Sequence, residues 1–591
     1  MKQNLWIPRR MFYQVLVPSL ISALALALAD IADALVVGSK VGEKGLAAIG
    51  IVTPVYMLYN LIGYGFSTGG CVTHGKLTAA GNNNLALCHF RRLALWLLSF
   101  SVLWAVAGNA LMRPLLGLLG VQDNRPELLA LCESYARPLI AAAPVFMLNF
   151  LLYDFVRCDD ASGLAALGFS LGCIVDLGLN ILLVVFLGMS VTGSITATVT
   201  AQAVSVGVLA THLFSKSGVL NLPGIVRAAG DRAEIRKQAA SSLTLGFSTS
   251  VRHLFQFGFL FLSNRLLLLA GDRGLLDGDL YVAVFDVVMN VSYVALSLYQ
   301  ASAETMQPLA STFTEEHDQN SLRYVLRLAL CWGLGTGVTL AVLLACFSGQ
   351  VSAFFGLSDA ADQAVSIPAI RLFCLSTPFA GILIILTAYY QSSDQPRLSR
   401  VITLLRSAIF LLLATIFFGL FYPRDFWWMF FVFEASSLLA VWLVKRLLYR
   451  NLEAERIPVF SATLDNANHE LPQVLSRLES FCAEQEIPIK KAMQIQLTVE
   501  ELCLVVIEQA FTGKPDEYIQ VTLARERNGD YALNIRNSAP RFNPFEMKTG
   551  RLKQDLNQEF LDSMGVLMVK KQAKTMNYRN YEGFNVLRVV L

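Results

Sequence analysis

The stretch Trp428–Arg450, WMFFVFEASSLLAVWLVKRLLYR, runs straight into Asn451–Pro458, NLEAERIP. The first of these is long and apolar enough to cross a bilayer and ends on basic residues; the second is charged and ordinary. Upstream of this seam the chain is almost continuously apolar. Downstream lie about 135 residues of mixed composition, close to the length of a usual single domain. The seam near residue 450 thus divides a polytopic α-helical membrane part from a folded tail. A bilayer-spanning part that ends in a folded domain points to transport or signalling across a membrane, controlled from one side.

Composition supports the division. The 591 residues are 55% hydrophobic and 15% charged, with a mean hydropathy of +0.52, against roughly 25% charged in soluble domains. Candidate spans lie at 15–37, 46–70, 92–112, 135–157, 164–187, 190–213, 242–269, 281–305, 327–347, 368–390, 404–421 and 426–444. Met1–Arg10 is basic, but the apolar stretch after it is too long for a signal-peptide core and has no A-x-A site, so it reads as the first span. A net charge of +3 gives no reason to expect a nucleic-acid partner. The 10 cysteines are scattered, many inside spans, with no C-x-x-C pair. They read as small apolar residues rather than as a disulfide framework or metal site.

Lys and Arg near span ends set orientation. About twenty, from Arg9 and Arg10 through Arg232, Arg236 and Arg323 to Lys445 and Arg450, fall on one set of flanks, against about eight on the other. The expected arrangement is an inner (plasma) membrane protein with both termini and the tail in the cytosol. The longest basic loop, 214–241, splits the spans into lobes of six, 1–213 and 242–447, as in transporters built from repeats around a central site. A linker at 448–457 and a tail domain at 458–591 complete the division.

Ionisable residues inside spans are costly and usually face a cavity or a partner. The first lobe holds Asp30, Asp33, Asp154 and Asp176 with almost no basic residue at matching depth, a pattern suited to a cation or proton site. Asp30, Asp154 and Arg265 sit near span ends, where contact with water is an equal account. Asp33 and Asp176 lie near helix middles, where a functional role is favoured. In the second lobe, Arg252 with Asp286 or Glu304 reads equally as a structural ion pair.

Several motifs, in order, resemble the multidrug and toxic compound extrusion (MATE) transporters. Asp33-Ala-Leu-Val-Val-Gly38 and Gly45-Leu-Ala-Ala-Ile-Gly-Ile-Val-Thr-Pro54 resemble the family's first two helices. Val156-Arg157-Cys158-Asp159 resembles its "fvRndG" turn without the Gly, and Gly193-Ser-Ile-Thr-Ala-Thr198 its G-A-A-l-A-T. Met306-Gln307-Pro308 matches the "QP" ending span eight, and Gln391 with Leu404-Leu405-Arg406 resembles the signals around span ten. The resemblance covers roughly 10–447. It implies a cation site of Asp33 with an Asn-x-x-x-Asp on helix five, here reversed as Asp176-Leu-Gly-Leu-Asn180, and with Thr198 on helix six. A spacing of four keeps both groups on one face, while the swap moves the charge about one turn, 5–6 Å. The Gly normally before QP is replaced around Glu304, an acid that adds cation attraction beside Gln307. Antiport of H⁺ or Na⁺ against an amphipathic, cationic small molecule is what the resemblance implies; Na⁺ at Asp33 and Asp176 would be the only metal.

The tail reads as an α+β sandwich. Phe460–Leu464, Tyr518–Arg525, Tyr531–Asn537 and Asn585–Leu591 read as strands, and Leu471–Glu484, Ile489–Phe511 and Glu559–Lys574 as helices. Leu497-Thr-Val-Glu-Glu-Leu-Cys-Leu-Val505, Asn537-Ser-Ala-Pro-Arg-Phe-Asn-Pro544, Ser563-Met-Gly565 and Glu582-Gly583-Phe-Asn-Val-Leu587 resemble the histidine-kinase-like ATPase fold of anti-sigma-factor serine kinases. The Mg²⁺-holding Asn is Val505, the adenine-reading Asp is Asn537, the next Gly is Ala539 and the third-box Gly is Ser563; Glu501 and Gly565 remain. Val505 offers no oxygen to a hard cation, and lost glycines restrict close approach of the backbone to phosphates. The expectation is a degenerate pocket that regulates rather than phosphorylates, needing no cofactor, with weak ATP binding left open. A tail that dimerises or holds a protein partner, making the protein a receptor, is the alternative from another class. A lipid-linked sugar flippase is a third, disfavoured by the acidic first lobe.

Overall fold

The computed structural model describes residues 5–40, 42–119, 126–215, 218–355, 357–393, 395–448, 459–465, 470–512, 517–526, 529–546 and 558–591. The linker 448–457 lies almost wholly outside them.

The first lobe is built from α1 (Trp6–Lys40), α2 (Gly42–Ala79), α3 (Asn83–Ala110), the short α4 (Met112–Leu118), α5 (Pro126–Ala141), α6 (Ala143–Cys158), α7 (Ser162–Asn180) and α8 (Ser190–Ala210). A short α9 (Leu222–Arg227) leads into the second lobe, α10 (Arg232–Asp272), α11 (Gly278–Glu315), α12 (Gln319–Cys346), α13 (Ser348–Phe354), α14 (Ala360–Ser392), α15 (Pro396–Thr403), α16 (Leu411–Phe421) and α17 (Trp428–Leu448). Among the described residues, 9 helices are long and apolar enough to cross a membrane, and the bent pair α5–α6 makes a tenth. The pair bends by 49°, beside Pro144, whose missing N–H and ring interrupt the helical ladder. α1 and α2, at 35 and 38 residues, occupy the positions of the first two expected spans. The 214–241 stretch read as a loop is partly helical, because α10 starts at Arg232, capped by the Asp231 carboxylate on the Ala233 amide.

Within the first lobe α7 packs between α1 and α8, and α2 lies on α5 and α6; in the second, α11 packs on α12 and α14. The lobes meet along α2 and α10 and along α1 and α11. The α2–α10 crossing is close enough that a side chain on Gly246 would run into the Gly65 carbonyl, and one on Gly69 into the Ser242 carbonyl. Small residues permit such backbone approach in a bilayer, where helix association relies on packing rather than on expulsion of water. These contacts lie in the half of the bundle nearer the tail, so the lobes are closed on that side.

The tail is one antiparallel sheet, β1 (Val459–Asp465), β2 (Tyr518–Arg525), β3 (Tyr531–Asn537), β4 (Thr575–Tyr581) and β5 (Phe584–Val590), in the order β1-β2-β3-β5-β4. Helices α18 (Leu471–Glu484), α19 (Ile489–Gln509) and α20 (Gln558–Gln572) cover one face. Val521, Leu523, Leu533, Ile535, Leu587 and Val589 point into that core with Leu478, Val499, Leu502 and Val506. Strand β4 escaped the sequence reading: its run Thr-Met-Asn-Tyr-Arg-Asn-Tyr is polar, and its turn Glu582-Gly583 was read only as a family motif. Both turn residues have positive φ, 46° and 76°, which the tight β4–β5 hairpin requires.

The period of two in these strands put polar residues on the other face, normally left to water in an antiparallel sheet. Here that face is buried. Gln520, Thr522, Asn534, Arg536 and Arg588 are each less than a tenth exposed because the sheet lies against the membrane part. Trp6 of α1 stacks near Tyr518, with ring centroids 4.5 Å apart, and meets Phe584 edge-on. The start of the chain and the tail therefore share one face of the bundle.

Candidate functional site

The residues singled out from the sequence fall into three places. The first is the last turn of α7, where the Asn180 amide donates to Asp176 Oδ1 at 3.2 Å. Asn180 is fully buried and Asp176 half-buried, one turn apart on one face. Directly after Asn180 the chain switches to a π-helical stretch, Ile181–Phe186, a wider winding that occurs frequently at functional sites. Neighbouring α1 carries Asp30 and Asp33, whose side chains lie outside the described residues. Thr198 sits on α8, the other neighbour, and donates back to Ser194 O at 3.2 Å rather than to Asp176.

The second place is between the lobes, on the tail's side. Asp154, Glu304 and Gln307 are brought together, and the residue that gathers them is Arg157, which the sequence shows only as a flanking charge and as part of a family-like turn motif. Arg157 donates to Asp154 Oδ1 at 2.8 Å, to Glu304 Oε2 at 2.8 Å and to Gln307 Oε1 at 3.3 Å. Its guanidinium lies over the Tyr153 ring, and Thr68 and Gln300 bond the two carboxylates from outside. Asp154 thus has a basic partner at its own depth, contrary to the expectation for the first lobe. Glu304 is neutralised by that partner rather than left to attract a cation. It is Arg157, not Arg252, that pairs with Glu304. Nothing in the sequence ties Arg157 to Glu304, 147 residues away. The second lobe has its own pair, Arg406 with Glu434 at 2.6 Å.

Below this cluster, the turn after α6 holds a buried polar knot that the sequence did not reveal. Asp159 accepts from His74 Nε2 at 3.1 Å, from His212 Nε2 at 3.0 Å and from the Leu220 amide at 2.7 Å. Burial alone would raise its carboxyl, but hydrogen bonds from both histidines and the amide outweigh burial and hold it well below the carboxylate range. Cys71 and Cys158 form a disulfide joining α2 to α6; their separation of 87 residues concealed a link that the cysteine reading did not include.

The third place is the expected nucleotide pocket. Val505 is packed in the tail's core. Asn537 is fully buried, and its Oδ1 accepts from the Ala539 amide at 3.2 Å and from Asn585 Nδ2 at 2.9 Å. Asn585 also donates to the carbonyls of Ala539 and Pro540. Glu501 lies so close over Gly565 that any side chain there would collide with its carboxylate. Val505 offers no oxygen to a hard cation, and the Asn537 Oδ1 is engaged inside the protein. Among the described residues, no group of His, Cys, Asp and Glu is arranged to hold a metal ion.

Comparison with known proteins places this geometry. A family model described as MatE matches residues 18–182 and 254–416, and one described as a histidine kinase-like ATPase domain matches 464–591. No curated protein matches the chain. Among solved structures, an outward-facing multidrug resistance MATE family transporter of the MOP superfamily superposes with a TM-score of 0.66 at 21% identity, over 77% of this chain and 99% of that one. A MOP superfamily transporter from Pyrococcus furiosus, described as having a binding pocket of reverse polarity that suggests a different function, gives 0.65 at 20%, over 76% and 97%. A MATE in a straight conformation gives 0.65 at 20%, again over 76% and 97%. These solved chains share the fold over about three quarters of this chain. With both lobes matched by the family model, the chain belongs to the MatE family and is a multi-pass MATE transporter that carries a histidine kinase-like ATPase domain as its tail.

Proposed function

We propose that the protein exports amphipathic, cationic small molecules by antiport against H⁺ or Na⁺. The tail lies in the cytosol and regulates export without Mg²⁺-dependent catalysis. The observation that carries this reading is the Asp176–Asn180 pair at the start of a π turn, on the helix that packs against the Asp33-bearing α1. A carboxylate held by an amide inside a low-dielectric lobe is expensive when charged. Binding a proton or Na⁺ there changes which arrangement of the lobes is cheaper, and that difference is what an antiporter exploits. Thr198 and Asn180 supply neutral oxygens that suit Na⁺ as well as H⁺. The positive-inside bias supports a cytosolic tail, as does the position of the basic segment around Arg227 and Arg232 next to α3 on the tail's side.

The test is ethidium movement in inside-out vesicles under imposed pH or Na⁺ gradients, comparing the wild type with a double variant, Asp33→Asn with Asp176→Asn. Gradient-driven movement that disappears in the variant supports the reading and names the ion. A variant that keeps the wild-type rate refutes it.

A further inference from the structure

We propose that the tail is an autoinhibitory clamp: its sheet grips both lobes at once, holds them together on its own side, and must let go of one lobe before the cavity can open there. This rests on the alternating-access reading above and specifies how the tail would regulate it.

The grip follows from strand register. Gln520 of β2 pairs with Arg536 of β3, Arg536 with Val586 of β5, and Val586 with Arg579 of β4. These four residues form one row across the sheet, all on the face away from α18–α20. At about 4.8 Å per strand the row spans about 14 Å. One end holds the second lobe. The Arg536 guanidinium pairs with Glu316 and lies over the Phe313 ring at 4.8 Å, while Gln520 donates to Asp318 at 2.8 Å and Ser321 at 3.2 Å. The other end holds the first lobe. Arg579 donates to Thr78 Oγ1 at 2.9 Å and to the Cys158 carbonyl at 3.1 Å. In the next row Arg588 reaches the Ala79 carbonyl at 3.3 Å. At the β4–β5 turn the Glu582 amide donates to Asp160.

A row joined by backbone hydrogen bonds cannot lengthen, so lobes gripped at both ends cannot part. The grip also touches the inter-lobe ion pair directly. Cys158, held by Arg579, follows Arg157, whose 2.8 Å bond to Glu304 crosses from one lobe to the other. Asp160 adds a mark of specialisation. Its φ is 71°, a backbone shape that favours glycine. A carboxylate there strains the local backbone, and what it gains is the bond to the tail.

The test uses the full-length protein in nanodiscs with nitroxides at Asn82→Cys and Asn320→Cys, exposed positions on the two lobes beside the tail, with the exposed Cys331 and Cys346 replaced by serine. The clamp predicts one narrow distance in the otherwise native chain. It predicts a second, longer population when either end is cut, by Arg536→Ala with Gln520→Ala or separately by Arg579→Ala. Ethidium efflux should rise roughly tenfold in both, within the range of typical couplings between sites. Cross-links at both ends together, Thr78→Cys with Arg579→Cys and Asp318→Cys with Gln520→Cys, should stop efflux until reduced, whereas either one alone should not. An unchanged distance in both cut variants overturns the clamp even if ethidium moves. A widened distance without ethidium movement in any variant keeps the clamp and sinks the export reading.

Discussion

Two groups of acids inside the bundle of this protein are chemically alike and differently held. On α7, Asp176 is bonded by an amide, Asn180. Between the lobes, Asp154 and Glu304 share a guanidinium, Arg157. An amide stabilises a carboxylate without cancelling its charge, which suits the ion response proposed for α7. A guanidinium cancels the charge of one acid and remains bonded whatever the ion gradient, so that site can only hold or let go. What a buried acid does is set by its partner, and the partners here lie 4 and 147 residues away. The first was visible in the sequence; the second was not.

The largest effect should come from the amide-held acid. Asp176→Asn is isosteric and removes the titrating group, so gradient-driven ethidium efflux should fall to the vesicle background while the unfolding temperature changes little. A large fall in unfolding temperature would make Asp176 structural and erase the contrast. Next comes the guanidinium. Arg157→Met leaves two carboxylates without their cation and should cost roughly 3–5 kcal/mol, read as thermal unfolding in detergent. Adding Asp154→Leu and Glu304→Gln should recover most of it. No recovery would mean that packing, not charge, dominates that site.

These differences also explain what could be read without a structure. Spans and tail strands are local patterns of period 3.6 and 2, and α18, β2 and β3 fall where those patterns end. β4 was missed because its apolar series, Met576 and Tyr578, stops at Asn580, and the opposite face carries Asn577, half-buried, and Arg579, buried where the sheet meets the bundle. Asp176 and Asn180 were legible as neighbours on one turn. Arg157 with Glu304, Asp159 with His74 and His212, Cys71 with Cys158, and the docking of Arg536 on Glu316 all join distant stretches, and nothing in one sequence ties such stretches together. The burial of the tail's polar strand face was not legible, since an alternating strand does not say whether water or protein covers it.

Two smaller effects sharpen the same contrast at the tail. Val505→Asn restores a metal-type oxygen but places it in an apolar core, and should cost about 1–3 kcal/mol with no thermal protection of the protein by Mg²⁺-ATP. Protection by millimolar Mg²⁺-ATP would revive a nucleotide-binding pocket. The smallest effect concerns pH. Burial first, and then the neighbouring Glu582, push Asp160 up from 3.8 to about 7, against the pull of the Glu582 amide and Arg579. Burial likewise raises Glu582, which Ser162 and Arg579 oppose. Asp159, held by His74 and His212, and Tyr581 are the other titratable groups facing this contact. A docked acid with a raised pKa binds more protons than a released one. Docking is then strongest below the ordinary carboxylate pKa and weakens as pH rises toward about 7. The nitroxide pair should show more of the long distance above neutrality than below it, and Asp160→Asn should flatten that dependence. A distribution insensitive to pH in the native chain would remove the acid pair from the clamp.

The most direct measurement sets the two kinds of acid against each other in one preparation: ethidium efflux by Asp176→Asn and by Glu304→Gln, with and without an imposed pH or Na⁺ gradient. The account predicts that Asp176→Asn loses all dependence on the gradient, whereas Glu304→Gln keeps it and changes only the rate. Gradient dependence retained in Asp176→Asn and lost in Glu304→Gln would place the ion site between the lobes and contradict the account.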